Sequence, residues 1–320
     1  MGALGYIDGR TVDLKELVIA MEDRGYQFGD GVYEYTKVYN GKCFALKPHI
    51  DRLYRSLREL KIPAVFTFDE MADIHERLIA ESGIQNGGIY LQITRGWAPR
   101  GHAFPDQVIP CLTMTIRPSN FKPEQWETGV GVISVPDERW LRCDIKSLNL
   151  LGNVLGKQKA KEAGCYEAIQ IRDDKVTEGT SSNFFIVKDG VLWTFPVGNL
   201  ILKGVTRTLV MEKILPEHDF SALEKAFALD FARKADEAFL SGTTTEIMPV
   251  VTIDGRPVGD GKPGAAVIMG RQKPVGTGAR QGRIVGKVGI GFGAQHPPPR
   301  QGQRPPRRVD PRPGDAEIGP

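Results

Sequence analysis

The sequence predicts a mixed α/β protein of two domains followed by a tail of different character, on three observations. Short strand-like runs alternate with amphipathic helices and tight turns, without the regular strand–helix period of a doubly wound sheet. A polar stretch at 120–128, with Pro118 before it and Pro123 within it, reads as a linker between domains. Beyond Pro263 the composition changes: residues 265–320 contain 11 Gly and 9 Pro.

The elements follow in order. A short strand at 5–8 and a turn at Gly9 precede a helical patch expected over 13–21. GVYEYTKVYNGKCFAL (31–46) alternates β-branched and aromatic residues around Asn40-Gly41, a strong hairpin signal. KPHIDRLYRSLRELKI (47–62) places Ile50, Leu53, Leu57 and Leu60 on one helical face. A second helix opens at Thr67 and closes near Gly83. Strand-like runs at 87–96 and 108–118 complete a smaller domain, 1–119, and a linker is set at 120–123. The larger domain, 124–264, has strand candidates at 129–136, 144–150, 166–174, 183–196, 236–242 and 250–258. Helices are expected there at 153–163, 206–214 and 222–235.

The 320 residues suffice for one large or two medium domains, and 41% hydrophobic with 25% charged residues suits a soluble globular protein. No apolar run approaches the ~18 residues of a membrane span. Four scattered cysteines without a C-x-x-C pair predict reduced thiols, a cytoplasmic location and no metal site. The net charge of +3 is unevenly spread: residues 265–320 hold 10 Lys and Arg against 3 Asp and Glu, leaving 32 and 36 in 1–264. So polar and Gly/Pro-rich a tail cannot bury enough surface to offset its chain entropy, which predicts disorder. Its composition resembles a GC-rich gene read out of frame. With Phe292 as its one aromatic, it offers cations for non-specific nucleic-acid contact but little stacking, so no specific nucleic-acid partner is expected.

Five stretches could carry chemistry. Lys146 interrupts the apolar run Ile145–Leu151. In an extended chain Asp144 points the same way, which suggests a surface ion pair; the sharper reading is an amine aimed into a site as a nucleophile. VTEGTSSNFFIV (176–187) sets Glu178 and three hydroxyl residues before an apolar strand, as a site wall or as a polar capping turn. LKGVTRTLVMEKIL (202–215) leads through Gly204 and Thr206 into a helix whose first N–H groups could bind phosphate or be simply capped. LSGTTTEIMP (240–249) offers a second donor loop or an ordinary turn. TRGWAPRGHAFP (94–105) presents Arg95, Arg100 and His102, able to clamp a carboxylate or to lie solvated. Taken together these match the needs of pyridoxal 5'-phosphate: a lysine for its aldehyde, a carboxylate for its ring nitrogen and donors for its phosphate.

EDRGYQFGDGVYE (22–34), HIDRLY (49–54), TRGWAPRGHAFP, RWLRCDIKSLNLLGNVL (139–155), TEGTSSN (177–183), ILKGVTR (201–207) and TTTEIMPV (243–250) closely resemble the D-amino-acid aminotransferases (D-alanine transaminases) of the fold-type IV pyridoxal-phosphate family. The resemblance runs from about residue 5 to about 264. It implies a small N-terminal α/β domain and a larger pseudo-barrel domain with the cofactor between them. The implied reaction is ping-pong amino transfer between a D-amino acid such as D-alanine and a 2-oxo acid such as 2-oxoglutarate. Lys146 would hold the cofactor as an imine and shuttle the proton, and Glu178 would pair with the pyridine nitrogen. Arg52, Val205, Thr206 and Thr243 would bind the phosphate, Leu202 would pack beside the ring, and Ser181 and Ser182 would line the site. Tyr33, Arg100 and His102 would bind the substrate carboxylate, the last two supplied by the neighbouring subunit of a homodimer. A branched-chain L-aminotransferase of the same fold type is the alternative, disfavoured by YQFGDGVYE and Arg-Gly-His. Three departures stand out: Gly242 where a hydroxyl residue is expected, Trp97 beside Arg100, and the tail where relatives end in a short helix.

Overall fold

The computed structural model describes residues 2–267 apart from 8, 17, 121, 219 and 266. The expected disordered tail, from 268 onward, lies outside the described residues. Val267, which the sequence assigns to that tail, is buried in an apolar cluster with Phe185, Val210 and Phe239, and its N–H donates to Glu237.

The first of two sheets has six strands in the order β2-β1-β6-β5-β3-β4. It comprises β1 (Leu4–Ile7), β2 (Arg10–Val12), β3 (Gly31–Tyr39), β4 (Lys42–Cys43), β5 (Gly87–Thr94) and β6 (Cys111–Pro118), with a short helix α1 (Arg24–Phe28) before β3. The hairpin turn forms as expected, Asn40 and Gly41 both being left-handed with φ of 49° and 72°. Alternation along β3 sends Val32, Glu34 and Val38 toward the helices α2 (Leu46–Glu59) and α3 (Phe68–Ser82), while Tyr33, Tyr35 and Lys37 face the other way. Ile50, Leu53, Leu57, Met71 and Leu78 pack there against Val32, Ile89, Leu91 and Ile116. Burying each such aliphatic side chain contributes about 1.5–3 kcal/mol. A reciprocal capping box between Thr67 and Glu70 starts α3, and left-handed Gly83 ends it.

The second sheet follows α4 (Glu124–Thr128), a single helical turn within the polar stretch 120–128, whose Trp126 is buried in a second apolar core. Its strands are β7 (Val130–Pro136), β8 (Glu167–Arg172), β9 (Lys175–Gly179), β10 (Asn183–Lys188), β11 (Val191–Thr194), β12 (Ser221–Glu224), β13 (Glu237–Gly242), β14 (Glu246–Ile253) and β15 (Arg256–Pro257). Helices α5 (Leu151–Glu162), α6 (Val205–Leu209, continued by a π-turn to Ile214) and α7 (Leu229–Arg233) complete it. The order is β12-β11-β10-β13-β14-β7-β8-β9, with β15 on β14. Residues 180–182 join the edge strand β9 to β10, third from the opposite edge, so the sheet must curl back on itself.

The described part of 13–21 forms turns, not a helix. Ile19 and Met21 are 44% and 88% exposed, so no surface rewards an amphipathic face there. Residues 222–235 begin as β12, because parallel pairing with β11 satisfies that backbone, and only α7 is helical. Residues 144–150 form a loop with one bridge, Val32 to Ser147. Among the described residues no helix is long and apolar enough to cross a membrane.

Arg95 is a framework residue. Only 2% exposed, it donates to both oxygens of Asp30 at 2.8 and 3.0 Å and to the carbonyls of Lys61 and Leu60. Arg95→Ala leaves that carboxylate with Arg24 alone and strands two carbonyls, which should cost about 3 kcal/mol. Urea unfolding checks this; a change below about 1 kcal/mol would place the residue among ordinary loop arginines.

Candidate active site

A cleft of roughly 720 Å³, open to solvent, is walled by both sheets. The loop 137–150 between β7 and α5 delivers Lys146, and its main chain is fastened to the first sheet. Lys146 O accepts from Tyr33 N at 2.9 Å, Lys146 N donates to Ser56 Oγ at 3.2 Å, and Leu148 N donates to Gly31 O at 2.9 Å. Gly31 is required at this approach, since a Cβ would lie 2.8 Å from both Ile93 O and a Leu148 methyl. Lys146 Nζ borders the cleft, 4.1 Å from the centre of the Tyr33 ring. Asp144 is bound by Arg55 and Arg142 at 2.5 and 3.0 Å, so the surface pairing that an extended run suggested is replaced by an arginine clamp.

Glu178 stands on β9, a strand the sequence reads as a turn. One oxygen meets Arg139 Nη1 at 2.5 Å, the other accepts from Asn183 Nδ2 at 2.9 Å, and the Leu202 N–H reaches both at 3.2 Å. Arg139 is fixed in turn by a two-pronged bond to buried Asp137, which Arg172 also engages. Burial opposes ionisation of Asp137, yet Arg139 and Arg172 hold its carboxyl at about 2. Burial pushes Glu178 up to about 7, against the pull of Arg139 and the Leu202 N–H. Nothing local in the sequence links Arg139 to a carboxylate 39 positions on, so this partner was missed.

The opposite end of the cleft collects donors. Val205, Thr206, Gly242, Thr243 and Arg52 border it, and the first N–H groups of α6 have no acceptor within their own helix. Gly204 permits that entry, because a Cβ there would collide with Asn183 Oδ1. Arg52 binds fully buried Glu34 through Nε at 2.6 Å and Nη2 at 2.9 Å, and His49 Nδ1 lies 2.9 Å from the same carboxylate. Burial works against the Glu34 charge, but Arg52 and His49 outweigh it and hold the carboxyl far below its usual range.

Leu202, Ser181, Ser182 and Tyr33 also border the cleft, so ten of the twelve expected residues share it. Arg100 and His102 stand outside, against Phe28, at 4.4 Å from guanidinium to ring centre and 5.6 Å between ring centres. Ser182 Oγ and Ser241 Oγ are buried with no hydrogen-bond partner among the described residues, and both residues line the cleft. An amine, a pinned buried carboxylate, unpaired hydroxyls and helix N–H groups form a donor set that fits pyridoxal phosphate.

Two curled-together sheets with a lysine and a carboxylate between them define a class, and comparison with known proteins identifies it. Residues 31–253 match the family described as Amino-transferase class IV. The chain belongs to that family. It is 46% identical over 260 residues to the D-alanine aminotransferase of Staphylococcus haemolyticus, covering 81% of this chain and 92% of that protein. The solved branched-chain amino acid aminotransferase of Escherichia coli superposes with a TM-score of 0.80 at 24% identity, covering 85% of this chain and 93% of the other. The branched-chain amino acid aminotransferase of T.th., solved with pyridoxamine 5'-phosphate, gives 0.76 at 24% identity, with 84% and 91% covered.

The raised Glu178 pKa has a consequence for the protein freed of cofactor. Below about 4.5 the carboxyl is protonated in both folded and unfolded chains; between 4.5 and about 7 the unfolded chain releases a proton that the folded one keeps. Its stabilising contribution is therefore complete below 4.5 and lost as pH rises through about 7, on the order of 3 kcal/mol. Urea unfolding across that window should show wild type losing stability relative to Glu178→Gln; a constant difference would mean that Glu178 titrates ordinarily.

Proposed function

We propose that this chain is a pyridoxal 5'-phosphate-dependent aminotransferase moving an amino group between a D-amino acid, D-alanine, and a 2-oxo acid, 2-oxoglutarate. The observation that carries this reading is the pairing of Lys146 with pinned, buried Glu178 across one cleft, in a chain nearly half identical to a D-alanine aminotransferase. The cofactor, when bound, supplies an electrophilic carbon for the amine and a ring that takes up the electron pair left by deprotonation.

The chain's residues do the rest. Lys146 Nζ is the attachment point and then the base that moves the α-carbon proton. Glu178, whose carboxylate form is favoured once a cation faces it, keeps the ring nitrogen protonated. Arg139 and the Leu202 N–H hold that carboxylate in place. Val205, Thr206, Thr243 and Arg52 bind the phosphate, Leu202 packs on the ring, and Ser181 and Ser182 line it. Tyr33 with Arg100 and His102 receives the substrate carboxylate. Because the last two lie outside their own chain's cleft, on a loop with exposed Trp97, Phe104 and Ile109, we assign them to the partner site of a homodimer. We set the domain division at 120–123, and four scattered cysteines without a C-x-x-C pair suit a reducing cytoplasm.

Borohydride reduction of the cofactor-loaded protein should place the label on Lys146, and Lys146→Ala should abolish transfer. Label on another lysine, or faster turnover of L-leucine than of D-alanine, would refute this reading and favour the branched-chain alternative. Arg100→Ala should raise KM for D-alanine steeply, by roughly 2–3 kcal/mol of lost binding. Mixing inactive Lys146→Ala with Arg100→Ala subunits should create dimers with one intact site; no recovery of low-KM activity would put Arg100 in its own chain's site.

A further inference from the structure

The elements that wall the cleft continue beyond it. Tyr35 and Lys37 follow Tyr33 at period two on β3, Lys157 and Lys161 follow Asn153 at helical spacing on α5, and Thr244 and Thr245 follow Thr243. Together they line a broad groove of about 1880 Å³ open to solvent, and the Tyr33 ring packs 5.7 Å from Tyr90 within it.

The groove is cationic in a body that is not. Lys37, Arg117, Lys122, Lys157 and Lys161 line it, and no Asp or Glu does so among the described residues, whereas residues 1–264 carry more acids than bases. Arg117, Lys122 and Lys161 are exposed and form no ion pair with a described residue. Lys157 Nζ stands 3.8 Å from buried Glu167. Lys37 is buried and donates to Ser119 Oγ at 3.1 Å, while Glu246 on the neighbouring sheet is engaged by Tyr39.

Resting on the aminotransferase reading, we infer that this groove is an electrostatic approach selecting a dianionic acceptor, a 2-oxo dicarboxylic acid whose second carboxylate turns toward Lys37. Clustered charge at a low-dielectric wall produces potentials of several kT. Each kT enriches a monoanion about 2.7-fold but a dianion about 7-fold, and a zwitterionic amino acid not at all. The groove therefore discriminates between acceptors and leaves D-alanine unaffected.

The test is the triple variant Arg117→Gln/Lys122→Gln/Lys161→Gln, three exposed changes outside the catalytic machinery. Amino transfer from D-alanine is measured to 2-oxoglutarate (dianion) and to 2-oxobutyrate (monoanion). At about 10 mM salt, kcat/KM for the dianion should fall roughly fivefold and for the monoanion only about twofold, with the difference closing near 0.5 M as charges are screened. Glutarate titrated into the cofactor-loaded protein should bind correspondingly more weakly to the variant. Equal losses for both acceptors, or an unchanged salt dependence, would overturn the inference. If no D-amino acid is turned over at all, the aminotransferase reading fails separately; the glutarate titration still decides the groove, and binding unmoved by the triple variant would reject it.

Discussion

The loop 137–150 ties the two sheets to one another through opposite ends of the same short segment. At one end Arg139 reaches Glu178 of the curled sheet and the Leu200 carbonyl in the turn beyond β11; at the other, main-chain bonds from Lys146 and Leu148 fasten onto β3 of the first sheet and Ser56 of α2 behind it. Main-chain bonds fix position more stiffly than a long side chain could, because they leave only the four-carbon lysine stem free. The distance between the amine and the carboxylate is therefore a property of the loop, and displacement of either sheet is felt at both groups.

Such a cleft requires buried charge, and buried charge is tolerated only when compensated. Glu34, Asp137 and Asp30 each meet at least two cationic or ring partners, so their desolvation is outweighed and they remain ionised. Glu178 differs. It shares Arg139 with Asp137, whose like charge adds to the effect of burial, and its carboxyl stays near neutrality. Among these carboxylates it is the under-compensated one.

Periodicity made the framework legible. The α2 stripe, the Thr67 cap and the Asn40-Gly41 turn are local signals, and local geometry obeys them. Where long-range pairing decides, the sequence misleads. KVTEG looks like a turn because its polar residues serve a site, yet β8 pairs with it as a strand. The run around Lys146 looks like a strand because its residues are mostly apolar, yet it is a loop, with Ile145 buried in the first core and Leu151 71% exposed. Arg95 sits in a motif that suggests a carboxylate clamp and does clamp one, but that carboxylate is Asp30 of its own framework. Residue types pointed to groups that the fold does gather in one cleft; which of them share a partner was settled by distant chain segments.

The hydroxyl supply around Gly242 shows how a substitution in a donor loop can be absorbed. A Cβ at Gly242 would lie 3.5 Å from Ser181 O and 3.7 Å from its other neighbours, ordinary contact distances, so the fold itself does not demand glycine there. The hydroxyl missing at 242 is not replaced by Ser181, whose Oγ donates to Glu167 at 3.1 Å while its N–H donates to the same oxygen at 2.5 Å. Ser241, next to Gly242 on β13, and Ser182, in the turn before β10, retain buried hydroxyls without partners among the described residues. An unpaired buried hydroxyl costs on the order of 1–3 kcal/mol, a penalty relieved when a ligand oxygen arrives. Two unpartnered buried hydroxyls thus stand beside position 242, and the Glu167–Ser181 contact fixes the 180–182 turn that carries one of them.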